Sequence, residues 1–156
     1  MSTAQWALVT GASSGLGVEY ARSLARSGHN LVLVARNRDR LESLAGSIVQ
    51  EFSVKCEVLL ADLHKSRDVA RVAKRLRDSA QPIRVLINNA GYGIPGHLDE
   101  SDASLERDHL TIHITAPLEL TKAVLPGMLE RGEGRVVFVS SVAGYLARGS
   151  YSAHKA

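Results

Sequence analysis

Short apolar runs alternate along the chain with longer segments in which apolar residues return every three or four positions. The runs Trp6–Thr10, Leu31–Ala35, Cys56–Ala61, Val85–Asn88 and Arg135–Ser140 are rich in Val, Leu and Ile and read as buried strands. Between them, Leu41, Leu44 and Ile48 fall on one face of a helix that Asn37 can cap. Val69, Val72 and Leu76 form the apolar face of another helix, with Ser66 as its expected cap. Continuous apolar strands alternating with helices predict an α/β fold, a parallel sheet covered on both faces. Its crossovers are expected to be right-handed. No repeat, linker or low-complexity tract interrupts residues 1–156, so a single domain is expected.

Composition narrows the class without naming a function. Apolar residues make up 45% of the 156 and charged residues 22%, as in an ordinary globular domain. The net charge of +3 is mild. Part of it lies in Arg67, Arg71 and Arg75, an i, i+4 stripe without interleaved aromatics, which reads as a solvated helix face and not a nucleic-acid surface. Cys56 is the single cysteine, so no internal disulfide can form; it reads as a small buried hydrophobe, and a reducing, cytoplasmic location is expected. No secretory signal pattern opens the sequence, and no apolar stretch approaches the roughly 20 residues that span a bilayer, so no membrane partner is expected.

The chemistry starts at "TGASSGLG", Thr10–Gly17, which follows the first strand and opens a helix. Glycines there let the backbone turn and approach a bulky anion, while the helix N-terminus offers unpaired N–H groups to a pyrophosphate. Gly11, Ser13, Ser14, Gly15, Leu16 and Gly17 are therefore candidate cofactor-binding residues. The second strand ends in Ala35–Arg36, where an acidic residue would hold a ribose 2′-hydroxyl. A cation suits a 2′-phosphate, so NADP is favoured over NAD, with Arg38 or Arg40 as helpers. The alternative is a solvated first helical turn. Tyr151 and Lys155 stand four apart, on one face of a helix, as a proton-transfer pair would.

These segments resemble the short-chain dehydrogenase/reductase family in its classical branch. "TGASSGLG" is similar to the family's glycine motif, "ADL" (Ala61–Leu63) to the stretch whose aspartate holds the adenine, and "NNAG" (Asn88–Gly91) to the segment after the fourth strand. "SS" (Ser140–Ser141) and "YSAHK" (Tyr151–Lys155) resemble the end of the fifth strand and the catalytic Tyr-x-x-x-Lys. The resemblance implies a Rossmann-type doubly wound sheet with strand order 3-2-1-4-5. It adds Asp62, Leu63, Asn88, Asn89, Ala90, Gly91, Tyr151 and Lys155 to the cofactor-binding candidates. It implies oxidation of an alcohol or reduction of a carbonyl. Tyr151 would be the general acid/base, Ser141 would hydrogen-bond the substrate oxygen, and Lys155 would hold the nicotinamide ribose and lower the tyrosine pKa. A tyrosine brought from about 10 to about 7 needs roughly 4 kcal/mol, which an ordered cation about 4 Å away in a partly buried site supplies.

Three features depart from the family's pattern. His113 stands where a catalytic asparagine is usual, and Pro117, which has no N–H, lies four residues later. A kink there would leave the His113 carbonyl free to bind a relay water. The stretch between Ser141 and Tyr151 is shorter than usual. The elements that follow the catalytic helix in the family are absent from the sequence, which predicts an open strand edge, exposed apolar surface, self-association or a missing polypeptide. His109 and His113 stand i, i+4, but no H-E-x-x-H pattern or third ligand accompanies them, so no metal is expected and they read as surface or cleft histidines. His29, His64, His97 and His154 show no ligand spacing. "GYGIPGHL" and "VAGYLARGSY" are expected to border the substrate, a small alcohol or carbonyl compound. The alternatives are a dinucleotide-binding domain without catalysis and an inactive truncation product.

Overall fold

The computed structural model describes residues 5–94, 98–145 and 149–155. Its elements in chain order are β1 (Trp6–Thr10), α1 (Leu16–Arg26), β2 (Asn30–Ala35), α2 (Arg38–Phe52), β3 (Cys56–Leu60), α3 (Ser66–Leu76), β4 (Ile83–Asn88), α4 (Ala103–Leu110), α5 (Ala116–Arg131), β5 (Arg135–Phe138) and α6 (Gly149–Lys155). A π-helical turn, Thr111–Thr115, joins α4 to α5, and a 3-10 turn, Val142–Tyr145, follows β5. The strands are parallel and ordered β3-β2-β1-β4-β5, as the resemblance implied.

The period of the sequence explains the layers. In β1, Ala7 and Val9 point to one face and Leu8 to the other. The first face packs on Ala21 and Ala25 of α1 and Leu41, Leu44 and Ile48 of α2. The second packs on Val69, Val72 and Leu76 of α3 and Leu120 and Val124 of α5. Asn37 caps α2 as expected, its side chain accepting the Arg40 N–H at 3.0 Å. Ser66 does not cap α3; it is the first helical residue, and the cap position is Lys65, without a side-chain bond.

Burial corrects two further expectations. β3 is half-buried throughout because it is a sheet edge, and Cys56 within it is half-buried, its thiol raised to about 11 by burial. Arg75 is not part of a solvated face. Its side chain is 10% exposed, lies over the Trp6 ring at 5.1 Å, and pairs with Glu57 at 2.8 Å. Arg67 and Arg71 are exposed. β5 ends two residues before the apolar run does, although Val139 N–H still donates to the Asn88 carbonyl at 3.0 Å. Phe138 at the β5 edge is 57% exposed. No described helix is long and apolar enough to cross a membrane.

Candidate active site

The chain order reverses between β1 and β4, and a cleft opens beyond the carboxyl ends of the strands there. It has a volume of about 740 Å³. Of the expected cofactor-binding residues, Gly11, Ser13, Ser14, Gly15, Leu16, Arg36, Asp62, Leu63, Asn89, Ala90, Gly91, Tyr151 and Lys155 line it. Ser141 and His113 line it as well. Gly17 and Asn88 do not. Gly17 is buried in the floor of the loop, where an added Cβ would overlap the Gly11 carbonyl and stand 2.9 Å from Asn89 Nδ2. Asn88 points into the protein, its Nδ2 donating to Thr121 Oγ1 at 3.3 Å.

One end of the cleft is shaped for an anion. Gly15 caps α1 with no side chain to occupy the first-turn N–H groups, so the helix N-terminus is left for a phosphate. Thr10 braces this loop against the next: its Oγ1 donates to the Ile87 carbonyl at 3.2 Å and accepts the N–H groups of Asn89 and Ala90, each at 3.0 Å. Arg36, Asn37 and Arg40 form the wall beyond the end of β2. Arg38 is outside it, paired with Glu42 at 3.0 Å. A close-packed glycine floor and an uncapped helix end together fit a nicotinamide dinucleotide, and two arginines line the wall beyond.

Beside Asp62 the cleft holds a chain of side chains not legible from spacing. Burial raises the Asp62 carboxyl, but bonds from the His64 N–H (3.2 Å) and Nδ1 (2.9 Å) outweigh it and hold the group below its usual range. His64 Nε2 lies 3.4 Å from the Tyr92 hydroxyl, whose pKa burial and Asp108 push up. Tyr92 lines the cleft directly after "NNAG".

At the other end, the Ser141 hydroxyl oxygen accepts the Ala143 N–H at 3.2 Å, which orients it and leaves its own hydrogen to donate. Lys155 Nζ donates to the Val139 carbonyl at 2.8 Å, and the Lys155 carbonyl accepts from Ser140 Oγ. An ammonium has three N–H groups, so two are left for a ligand. Burial lowers the lysine's pKa. Tyr151 lies edge-on to His109 and His113, with ring centroids 5.5 and 5.8 Å away. The expected lining stretches are seen in part; residues 95–97, with His97, and 146–148 lie outside the described residues.

His113 is 9% exposed, and burial depresses its pKa to about 4, so it is neutral near pH 7. Its Nε2 is 2.8 Å from the Tyr92 carbonyl oxygen and 3.2 Å from the Tyr92 nitrogen. The shorter contact assigns the ring proton to Nε2. The helix carries a π-helical turn at His113: Ala116 N–H donates to the Thr111 carbonyl, five residues back. His109 is not a surface or cleft group: it is 0% exposed, and its Nε2 meets the same Tyr92 carbonyl at 2.9 Å.

The sequence model of the short chain dehydrogenase family matches residues 5–156. The chain belongs to the short-chain dehydrogenase family. Among solved structures, a short-chain dehydrogenase from Sphingobium yanoikuyae in complex with NADPH superposes with a TM-score of 0.93 at 41% identity, over 97% of this chain and 60% of that one. The bulky-bulky ketone specific alcohol dehydrogenase from Comamonas testosteroni gives 0.93 at 40% identity, over 97% and 61%. A very-long-chain 3-oxoacyl-CoA reductase of Anas platyrhynchos is 37% identical over 145 residues, 89% of this chain and 46% of that protein. The chain thus spans about half the length of the curated relatives it matches. As a short-chain dehydrogenase family member it has the Rossmann-type architecture, with the family's Tyr-x-x-x-Lys pair in one cleft with its glycine loop.

Proposed function

We propose that this short-chain dehydrogenase is an NADP-dependent oxidoreductase that interconverts an alcohol and a carbonyl by hydride transfer. The observation that carries the reading is the continuity of one cleft from the uncapped α1 terminus, past Arg36 and Arg40, to Ser141, Tyr151 and Lys155. The NADPH complex among its structural relatives supports the cofactor, and the ketone-specific dehydrogenase supports a ketone or secondary alcohol as substrate.

A dinucleotide held by the glycine loop, Arg36 and Lys155 would supply the hydride for reduction and accept it in oxidation. The chain's own task is to orient and to move a proton. Ser141 donates to the substrate oxygen. The Tyr151 phenol gives its proton to the alkoxide as it forms, or takes one in the reverse direction. The Lys155 ammonium, with one N–H on Val139, offers the rest to ribose hydroxyls. Exposed Leu129 (76%) and Phe138 (57%) support self-association, and the lone cysteine supports a cytoplasmic setting.

The test is NADPH consumption by the purified chain with a bulky uncharged ketone and a long-chain 3-oxoacyl thioester. Tyr151→Phe is expected to lower turnover about 10²–10⁴-fold. Equal turnover by the variant overturns the role of Tyr151, and absence of turnover with every carbonyl overturns the reading.

A further inference from the structure

Two histidines that spacing did not pair meet behind the catalytic tyrosine. His109 of α4 and His154 of α6 are 45 positions apart in sequence, yet their Nδ1 atoms are 2.7 Å apart. Their rings stack with centroids 4.9 Å apart and planes 29° apart. His154 sits between Tyr151 and Lys155 on α6. One helical turn away, Glu106 of α4 accepts a hydrogen bond from Ser150 of α6 and another, at 2.7 Å, from Ser101. The helix that carries Tyr151 and Lys155 is thus tied to α4 at two successive levels.

The chemistry of the upper tie is constrained by its surroundings. Two nitrogens at 2.7 Å bond only if a single proton lies between them. The Tyr92 carbonyl accepts from Nε2 of His109 at 2.9 Å, which places that ring's proton on Nε2 and makes its Nδ1 the acceptor. His154 Nδ1–H is then the donor. A second proton in the gap sets N–H against N–H. The groups around His109 are Glu106 on its own helix, His113 on the π-helical turn, Tyr92 on the loop after β4, and Tyr151, His154 and Lys155 on α6. Only Glu106 among them is anionic near pH 7, and it is spent on Ser101 and Ser150. Burial, the largest influence, lowers the His109 pKa.

We propose that His109 and His154 form a one-proton clasp that positions the Tyr151/Lys155 helix and opens when a second proton enters the gap between their Nδ1 atoms. Both are positioning residues, and their effect on turnover rests on the oxidoreductase reading given above. The clasp ties the helix that carries the proton-transfer pair to α4.

The experiment compares the parent chain with His154→Ala and His154→Asn. Asparagine places an amide near the position of Nδ1, and by rotation it can donate to neutral His109 or accept from the protonated ring. Long-range ¹⁵N NMR of the parent near pH 7.5 is expected to show His109 with a bare Nδ1 and His154 with a protonated one. Hydrogen exchange over residues 149–155 is expected to rise about tenfold in His154→Ala and to return toward the parent in His154→Asn. The acid limb of kcat is expected to lie at lower pH in His154→Asn than in the parent. Protons on both Nδ1 atoms, or on neither, at pH 7.5 overturn the clasp. So does unchanged exchange in His154→Ala, or an acid limb that ignores His154→Asn. The NMR and exchange readings need no turnover: an inactive parent with the expected NMR and exchange upholds the clasp and overturns the oxidoreductase reading instead.

Discussion

The His113 imidazole lies so close over Gly91 that a Cβ on residue 91 would overlap its Cε1 and stand 2.9 Å from its Nδ1. The ring in turn holds the Tyr92 carbonyl at 2.8 Å. His113 therefore packs on the loop that lines the cleft. Gly91→Ala is expected to cost about 1–3 kcal/mol by overpacking. Adding His113→Ala to it should recover part of that loss, so the two changes are non-additive. Urea midpoints of the four chains check this; strict additivity would show that the ring and the loop are independent.

His113→Asn is expected to change turnover by less than about tenfold, because the π-helical turn does not depend on the side chain. A gain of several orders of magnitude would show instead that the histidine blocks the proton path.

Acid should weaken the fold through the same ring. The folded pKa of about 4 lies below the ordinary 6.5, so the unfolded chain takes the proton first as pH falls. The neutral ring's contribution is complete above pH 6.5 and is lost between there and about 4, where the folded form protonates too. The slope is at most about 1.4 kcal/mol per pH unit for each such imidazole. Burial displaces His109 in the same direction and adds to the effect. Urea unfolding at pH 7 and pH 5 measures it, and His113→Asn should flatten the difference.

Thr10→Val would remove the acceptor for the N–H groups of two half-buried residues, Asn89 and Ala90. The expected loss is about 3 kcal/mol. It should appear as a lower urea midpoint with an unchanged slope. A valine variant as stable as the parent would mean that the two loops hold each other without the hydroxyl.

Arg36→Ala is expected to weaken NADPH binding about tenfold or more and NADH binding much less, since only the former carries a 2′-phosphate for the guanidinium. Thermal shift with each nucleotide reports the difference. Trp6 is a poor reporter, because it begins β1 under Arg75 while the glycine loop follows Thr10 at the other end. Equal losses for both nucleotides would assign Arg36 to the pyrophosphate or to no contact.

The layered fold was legible because each strand is apolar at successive positions and each helix keeps one apolar face. The loop residues around Gly11 and the Tyr151–Lys155 pair were legible because their chemistry demands fixed residue types at short spacing. Burial at the sheet edge was not: Cys56–Leu60 reads like an inner strand, yet β3 has a partner on one side only. The buried guanidinium of Arg75 was hidden inside a regular basic stripe, because only the tertiary fold sets Trp6 and Glu57 beside it. His109 and His154 were hidden for the same reason, since no local pattern links positions in α4 and α6. A tyrosine directly after "NNAG" was a weak local signal for Tyr92.

Lys155 is gripped at both ends by neighbouring residues, its ammonium by the Val139 carbonyl and its own carbonyl by the Ser140 hydroxyl. Head and backbone are thereby anchored to the same two links of chain beyond β5. Moving the ammonium or sliding the helix therefore breaks a hydrogen bond to the same short stretch of chain. A sideways shift of the chain at Val139–Ser140 would move both holds on Lys155 at once, so the place of the ammonium in the cleft depends on the position of the end of β5.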